Sequence, residues 1–375
     1  MSLNQIIIYV MALFMLIGTI DKCIGNKFGL GEKFEEGIMT MGSLALSMIG
    51  MICLAPVLAD LFEPVVVPLF NFLGADPGIF AGCILANDMG GAQLAVELAK
   101  DPQAGAYGGL LIGATMGVTI VFTIPASLGI IQKEDRKYMA LGVLAGIITI
   151  PIGAFFGGLA AGYSLNMVLH NLTPIIIFAV IIAVGLLKFQ NIMIKLFVYF
   201  GNIISVVIAV GFALAILESL TGIVIIPGMA PIDGAIETVG QIAIVLAGAF
   251  PLIAVITKLF NKLLANAGKL MGINDVAVAG LIASLANSIP MFGMVKDMDS
   301  KGKILNFAFA VSAAFVFGDH LGFTAGFNPD MITPMIVTKL VAGITAVGLA
   351  LLISNRVLKD ENMDSSESEI SKVVE

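Results

Sequence analysis

Apolar stretches long enough to cross a bilayer recur along the whole chain, and that feature leaves few folds open. They lie at about 3–20, 38–60, 104–131, 138–161, 172–188, 192–218, 238–257, 304–318 and 335–354. A crossing helix needs roughly 20 apolar residues, because the hydrocarbon layer is ~30 Å thick and a helix rises ~1.5 Å per residue. Charge is too scarce for a soluble globule: 12% of the 375 residues are Asp, Glu, Lys or Arg, against about 25% in a soluble domain. The expected fold class is therefore an all-α polytopic membrane protein with about nine transmembrane helices. No stretch remains for a soluble catalytic domain. The N-terminal run lacks a basic leader and a small-residue cleavage site, so it reads as a retained first span.

Residues 74–100 and 272–298 are apolar but interrupted by Gly, Pro and Asn near their middles. Each is too short for two crossings and too broken for one. Helix–break–helix hairpins that enter the bilayer and return to the same side fit both. Charge placement agrees. Lys22, Lys27 and Lys33 share one connection, Lys133, Arg136 and Lys137 another, and Lys188 and Lys195 a third. Segments 61–76, 162–171, 219–237 and 319–334 hold no Lys or Arg. With two re-entrant hairpins the basic connections fall on one face, Lys100 being the exception. The positive-inside rule then puts a multi-pass chain in the plasma membrane with its N-terminus outside and its C-terminus cytoplasmic.

The chain also echoes itself. Asp21 and Gly25 recur as Glu218 and Gly222, Glu36-Gly37 as Asp233-Gly234, and Ala145-Gly146-Ile147 as Ala342-Gly343-Ile344. Leu-Ala-Asn at 85–87 recurs at 285–287, although in a chain this rich in Ala and Leu short matches also arise by chance. The expected organisation is a first repeat, 1–161 (four helices plus the hairpin 74–100), a connecting helix within 162–191, and a second, inverted repeat, 192–356 (four helices plus the hairpin 272–298). Inverted halves with paired broken elements are the build of secondary transporters. Residues 357–375 carry six acids and two lysines, −4 of the net −7, and read as a disordered cytoplasmic tail.

Chemistry concentrates at the breaks. In the first hairpin Asn87-Asp88 precedes Gly90-Gly91, with Gln93 one turn on. A carboxylate inside an apolar run marks a functional site by default; the alternative is that Asp88 only caps the second arm. In the second hairpin Asn287 and Ser288 form a neutral tip, offering hydrogen bonds or simply a turn. Asp319-His320 is either a titratable pair lining a cavity or a water-facing helix end. The Gly rows 109/113/117 and 142/146 are close-packing faces. Three cysteines without a CxxC pair suggest neither a disulfide nor a metal, no cofactor motif is present, and nothing is basic enough for nucleic acid. Without a nucleotide-binding motif, movement would be facilitated or coupled to an ion gradient.

The segments GLGEKFEEG (29–37), MGSLALSMIGMICLAPVLA (41–59), LGADPGIFAG (73–82), NDMGGAQLA (87–95) and FGDHLGFTAG (317–326) resemble the ethanolamine permeases of bacterial ethanolamine utilisation, the EutH family. The resemblance runs from about 20 to 355. It implies a permease, not an enzyme, whose partners are ethanolamine and the bilayer, with homo-oligomers left open. Ethanolamine carries an ammonium and a hydroxyl two carbons apart. The resemblance so implies that Asp88, with Asn87 and Gln93, takes the ammonium. Asn287 and Ser288 would take the hydroxyl, and Asp319 and His320 line or gate the cavity. A channel-like facilitator of organic cations and a membrane enzyme acting on lipid headgroups stand as rivals.

Overall fold

The computed structural model describes the backbone of residues 2–374 and the side chains of residues 2–259, 266 and 268–356. The acidic tail expected at 357–375 lies outside the residues described in full. Among the described residues there is helix and no strand, and eight helices are long and apolar enough to cross a membrane.

In chain order these are α1 (Leu3–Cys23) and α2 (Leu30–Phe72), then the short arms α3 (Ile79–Ile84) and α4 (Ala92–Leu98). Next come α5 (Pro102–Ile130), α6 (Arg136–Ala160), α7 (Leu165–Lys188), α8 (Gln190–Thr221) and α9 (Ile232–Met271). The second pair of arms, α10 (Asp275–Ala286) and α11 (Ser288–Met294), precedes α12 (Ser300–Ala313), α13 (Asp319–Phe327) and α14 (Pro329–Arg356).

Local chemistry sets the ends. Ser2 and Gln5 form a reciprocal cap on α1, Ser164 caps α7, and Asp101 followed by Pro102 starts α5. The Asp21 carboxylate accepts from the backbone of Phe28, Leu30 and Gly31, which binds the end of α1 to the start of α2. α5 is the innermost span, with 83% of its apolar window buried, whereas α1 and α8 bury 11% and 17% and present apolar side chains outward. Helices apolar on every side are stable only where lipid or protein surrounds them.

The expected span at 304–318 is the point of difference. It is not one helix but two, α12 and α13, separated by a non-helical stretch at 314–318. The cause is tertiary: Phe315 N–H donates to Ser284 O and Phe317 N–H to Leu285 O, both at 2.9 Å, so the stretch runs alongside the end of α10. That pairing replaces the helical hydrogen bonds that the break gives up.

Both hairpins close at their bases. Asp76 accepts from Lys100 N–H at 3.1 Å and Asp101 N–H at 3.0 Å. Asp299 accepts from Asn274 N–H at 2.9 Å, and the Asn274 amide donates to Asp297 O at 3.0 Å. Each hairpin therefore starts and ends at one place. The first base is tied to α7 by Asp76 N–H donating to Asn171 Oδ1. The second is tied to the start of α6 by Ser300–Tyr138 and by the Lys303–Asp135 ion pair. Because α6 runs from Asp135 toward the turn before α7, the two bases lie at opposite ends of the bundle.

α6 also lies directly against α14. A methyl at Gly153 would run into Thr338 O, and one at Gly157 into Thr338 Oγ1. Small residues here let two backbones approach as closely as interhelical packing in lipid favours.

Candidate functional site

The first hairpin tip is a tight reversal. Met89 and Gly91 N–H both donate to Ala86 O, and Gly90 sits at φ 86, in the left-handed region, with Met51 of α2 where a side chain would go. Glycine adopts that conformation without steric cost. Asp88 is half-buried and caps neither arm; α4 has no side-chain cap at all. Its carboxylate instead faces the ring of His320, Oδ1 to Nε2 3.9 Å.

His320 is buried one residue into α13, just after the 314–318 break. The backbone there is strained: Phe315 has φ 64, which costs a non-glycine residue energy and recurs at functional breaks. Its ring lies 5.2 Å from His320 and 5.6 Å from Phe122, so an aromatic wall flanks the imidazole.

Sequence reasoning missed the third member. Lys339 of α14 is wholly buried. Its ammonium donates to Ala114 O of α5 and, at 3.0 Å, to Nδ1 of His320. Ala114 lies in a stretch, Tyr107–Gly117, wound in wide π-type turns; such turns are frequent at functional sites. With Lys339 as an ammonium, which has no acceptor capacity, Nδ1 accepts and the neutral ring carries its proton on Nε2, toward Asp88. The order is Ala114 O, Lys339, His320, Asp88. The signal that could have exposed Lys339 was present: it is the lone charge inside the apolar run 335–354.

Asp319 stands at the first residue of α13, close enough to Asp88 and to Glu36 for their charges to interact. Glu36 is exposed and paired with Lys33, so the half-buried negative charge here comes from Asp88 and Asp319.

The second hairpin meets the same segment from the other side. Residues 284–285 pair with Phe315 and Phe317, and Gly318 abuts Ala286 O so closely that a methyl would not fit. Asn287 spends its carbonyl capping Ile289 N–H, the turn reading, while the Ser288 hydroxyl is buried without a hydrogen bond. Both amide atoms of Asn87 and of Gln93, and the hydroxyls of Ser284 and Thr324, are likewise buried and unpaired within the chain. Buried polar atoms normally find partners, and these have none among the described residues. The structure thus brings Asp88, Asp319, His320 and Lys339 together and sets both tips against one break. No hydrogen bond joins Asp88 to Asn287 or Ser288. Among the described residues no group of His, Cys, Asp and Glu is arranged to hold a metal.

A cavity of about 370 Å³ opens at the first base, lined by Asn71, Asp76, Lys100, Asp101, His170 and Asn171. It is a mouth, separate from Asp88.

Long apolar helices, two clasped hairpins and a charged centre of polar groups place the chain in the class of polytopic α-helical membrane proteins. More particularly, it belongs to the EutH family: the family model described as "Ethanolamine utilisation protein, EutH" matches residues 3–353. It is similar to a probable ethanolamine permease EutH of Listeria monocytogenes, 60% identical over 359 residues that cover 96% of each chain. A probable ethanolamine permease EutH of Salmonella typhimurium is 47% identical, with 94% of this chain and 96% of the relative covered. An uncharacterized protein, YxeR, of Bacillus subtilis is 50% identical over 93% of this chain and 95% of its own. No solved structure matches.

Proposed function

We propose that the chain is a membrane permease for ethanolamine that binds the protonated amine between the hairpin tips and moves it by alternating access. The reading rests on one observation above the others: a broken tip presents Asp88 to a neutral His320 held by Lys339, while Asp319 adds a second carboxylate nearby. With both acids ionised the cluster is one negative charge in excess, which a monocation neutralises. Ethanolamine titrates near ~10, as an alkylammonium does, so at neutral pH it is almost wholly that monocation. Two of the relatives bear the name probable ethanolamine permease, which points the same way.

In this reading Asp88 takes the ammonium and the Phe122–Phe315 wall supports it through cation–π contact. The unpaired polar groups of Asn87, Gln93 and Ser288 are available to the hydroxyl, and Asn287 contributes its remaining amide group. The halves 1–161 and 192–356 act as inverted repeats about the connecting helix. What supports this is the spacing of the two clasps, each offset by 198 residues (76 to 274 and 101 to 299), against 197 for three of the sequence echoes and 200 for Leu-Ala-Asn. The N-terminus then lies outside and the C-terminus in the cytoplasm. No catalytic step is assigned to the chain.

The test is uptake of labelled ethanolamine by purified protein in proteoliposomes. Saturable uptake accelerated by ethanolamine preloaded inside supports a carrier. Uptake without trans-acceleration would favour a channel-like facilitator, and turnover of phospholipid headgroups would favour an enzyme.

A further inference from the structure

We propose that Lys339 sets the charge selectivity of the site: by cancelling one of the two half-buried carboxylates, it makes the cluster complementary to a monocation and not to a dication. The inference rests on the transport reading above and extends it to a residue outside the tips.

Three observations carry it. Lys339 is wholly buried, so it is fixed in the bundle and not a solvated side chain. It is held by Ala114 O and His320 Nδ1, and the other nitrogen of that ring lies 3.9 Å from Asp88 Oδ1, so one imidazole separates it from the acid. Finally, Asp319 directly precedes His320, whose ring faces Asp88, so the two acids stand at the same helix start. Two neighbouring carboxylates are a natural seat for a diamine. Interposing one immobile cation behind a neutral imidazole lowers the net charge to minus one without filling the seat. Selectivity of this kind comes from an added repulsive element as much as from an attractive one. Lys339 is thus a positioning residue: it fixes which nitrogen of His320 faces Asp88, and its field sets the charge the substrate must bring.

The experiment measures inhibition of labelled ethanolamine uptake in proteoliposomes by unlabelled ethanolamine and by 1,3-diaminopropane, a dication of similar reach. The wild-type protein is expected to favour ethanolamine over the diamine by tenfold or more, roughly what one unpaired charge is worth in a partly dry site. In Lys339→Met the preference falls by at least about tenfold, while Lys339→Arg keeps it. The double variant Lys339→Met/Asp319→Asn restores the net charge of minus one and regains the wild-type preference. That ratio does not respond to a merely structural defect, which lowers both affinities together. An active Lys339→Met with the wild-type ratio overturns the inference. If the single variant does not fold, the charge-matched double variant decides: recovery of uptake with monoamine preference supports the inference, and its absence overturns it. Wild-type vesicles that take up no ethanolamine would instead refute the transport reading.

Discussion

Replacing Asp88 by Asn removes one charge from the centre of the cluster and changes little else in size. The side chain is only 18% exposed, so water screens it weakly. A cation in contact with it would gain ~4 kcal/mol at an effective dielectric constant of about 20. Part of that gain is already opposed by Lys339 behind His320 and by the cost of stripping water from the amine. A net loss of about 2–3 kcal/mol remains, equivalent to a roughly 30- to 150-fold rise in Kd. Fold stability should change far less, because Asp88 caps no helix; relief of its repulsion from Asp319 offsets the weakened approach of His320. Binding of labelled ethanolamine to the detergent-purified protein gives the affinity, and thermal unfolding in the same detergent gives the stability. Asp88→Glu, which keeps the charge, should recover part of the affinity. If Asp88→Asn binds within about threefold of wild type while remaining folded, the carboxylate does not hold the ammonium and the site reasoning fails.

Further expectations follow from individual contacts. Gly90→Ala forces a side chain into a left-handed position against Met51, so it should cost about 1–3 kcal/mol and lower the unfolding temperature. Wild-type thermal stability would contradict that geometry. Asp299→Ala opens the second hairpin clasp and uncaps α12, a loss of about 1–2 kcal/mol that should also speed proteolysis around 272–299. Gly157→Val should prevent α6 from seating on Thr338 and abolish stable expression, which a fluorescence-detected size-exclusion profile would reveal. Ser288→Ala, at a buried hydroxyl without an internal partner, should weaken ethanolamine affinity by about 1 kcal/mol while leaving the affinity for ethylamine, which lacks the hydroxyl, unchanged.

Much of the architecture was readable from residue order because lipid imposes a coarse rule. Long apolar runs became helices, and the two interrupted segments became hairpins whose clasps, Asp76 to Asp101 and Asn274 to Asp299, fall within a few residues of the expected bounds 74–100 and 272–298. The split between α12 and α13 was not readable. The stretch Ala314-Phe315-Val316-Phe317 is as apolar as any helix interior, and it breaks only because the end of α10 supplies alternative backbone partners. α2 continues to Phe72 through Pro56, Pro64 and Pro68, beyond the expected limit near 60, since proline in a packed membrane helix is tolerated where neighbours satisfy the freed backbone. At the site, Asp88 and His320 stood out as polar groups beside breaks. Lys339 did not, because attention to cations in connections passes over one in the middle of a span. That Asn287 serves as a cap while Ser288 is left unpaired depends on a single turn, which composition does not specify.

The opposed clasps have an electrostatic corollary. The shorter arms that lead inward from either end, α3 and α11, are six and seven residues, or ~9–10 Å of helix. An ion approaching from one aqueous phase would thus face an insulating layer about a third as deep as the ~30 Å hydrocarbon slab. On the alternating-access reading, charge need not cross the full low-dielectric width at once: one thin shutter opens at a time, around a centre that a single bound monocation brings to neutrality.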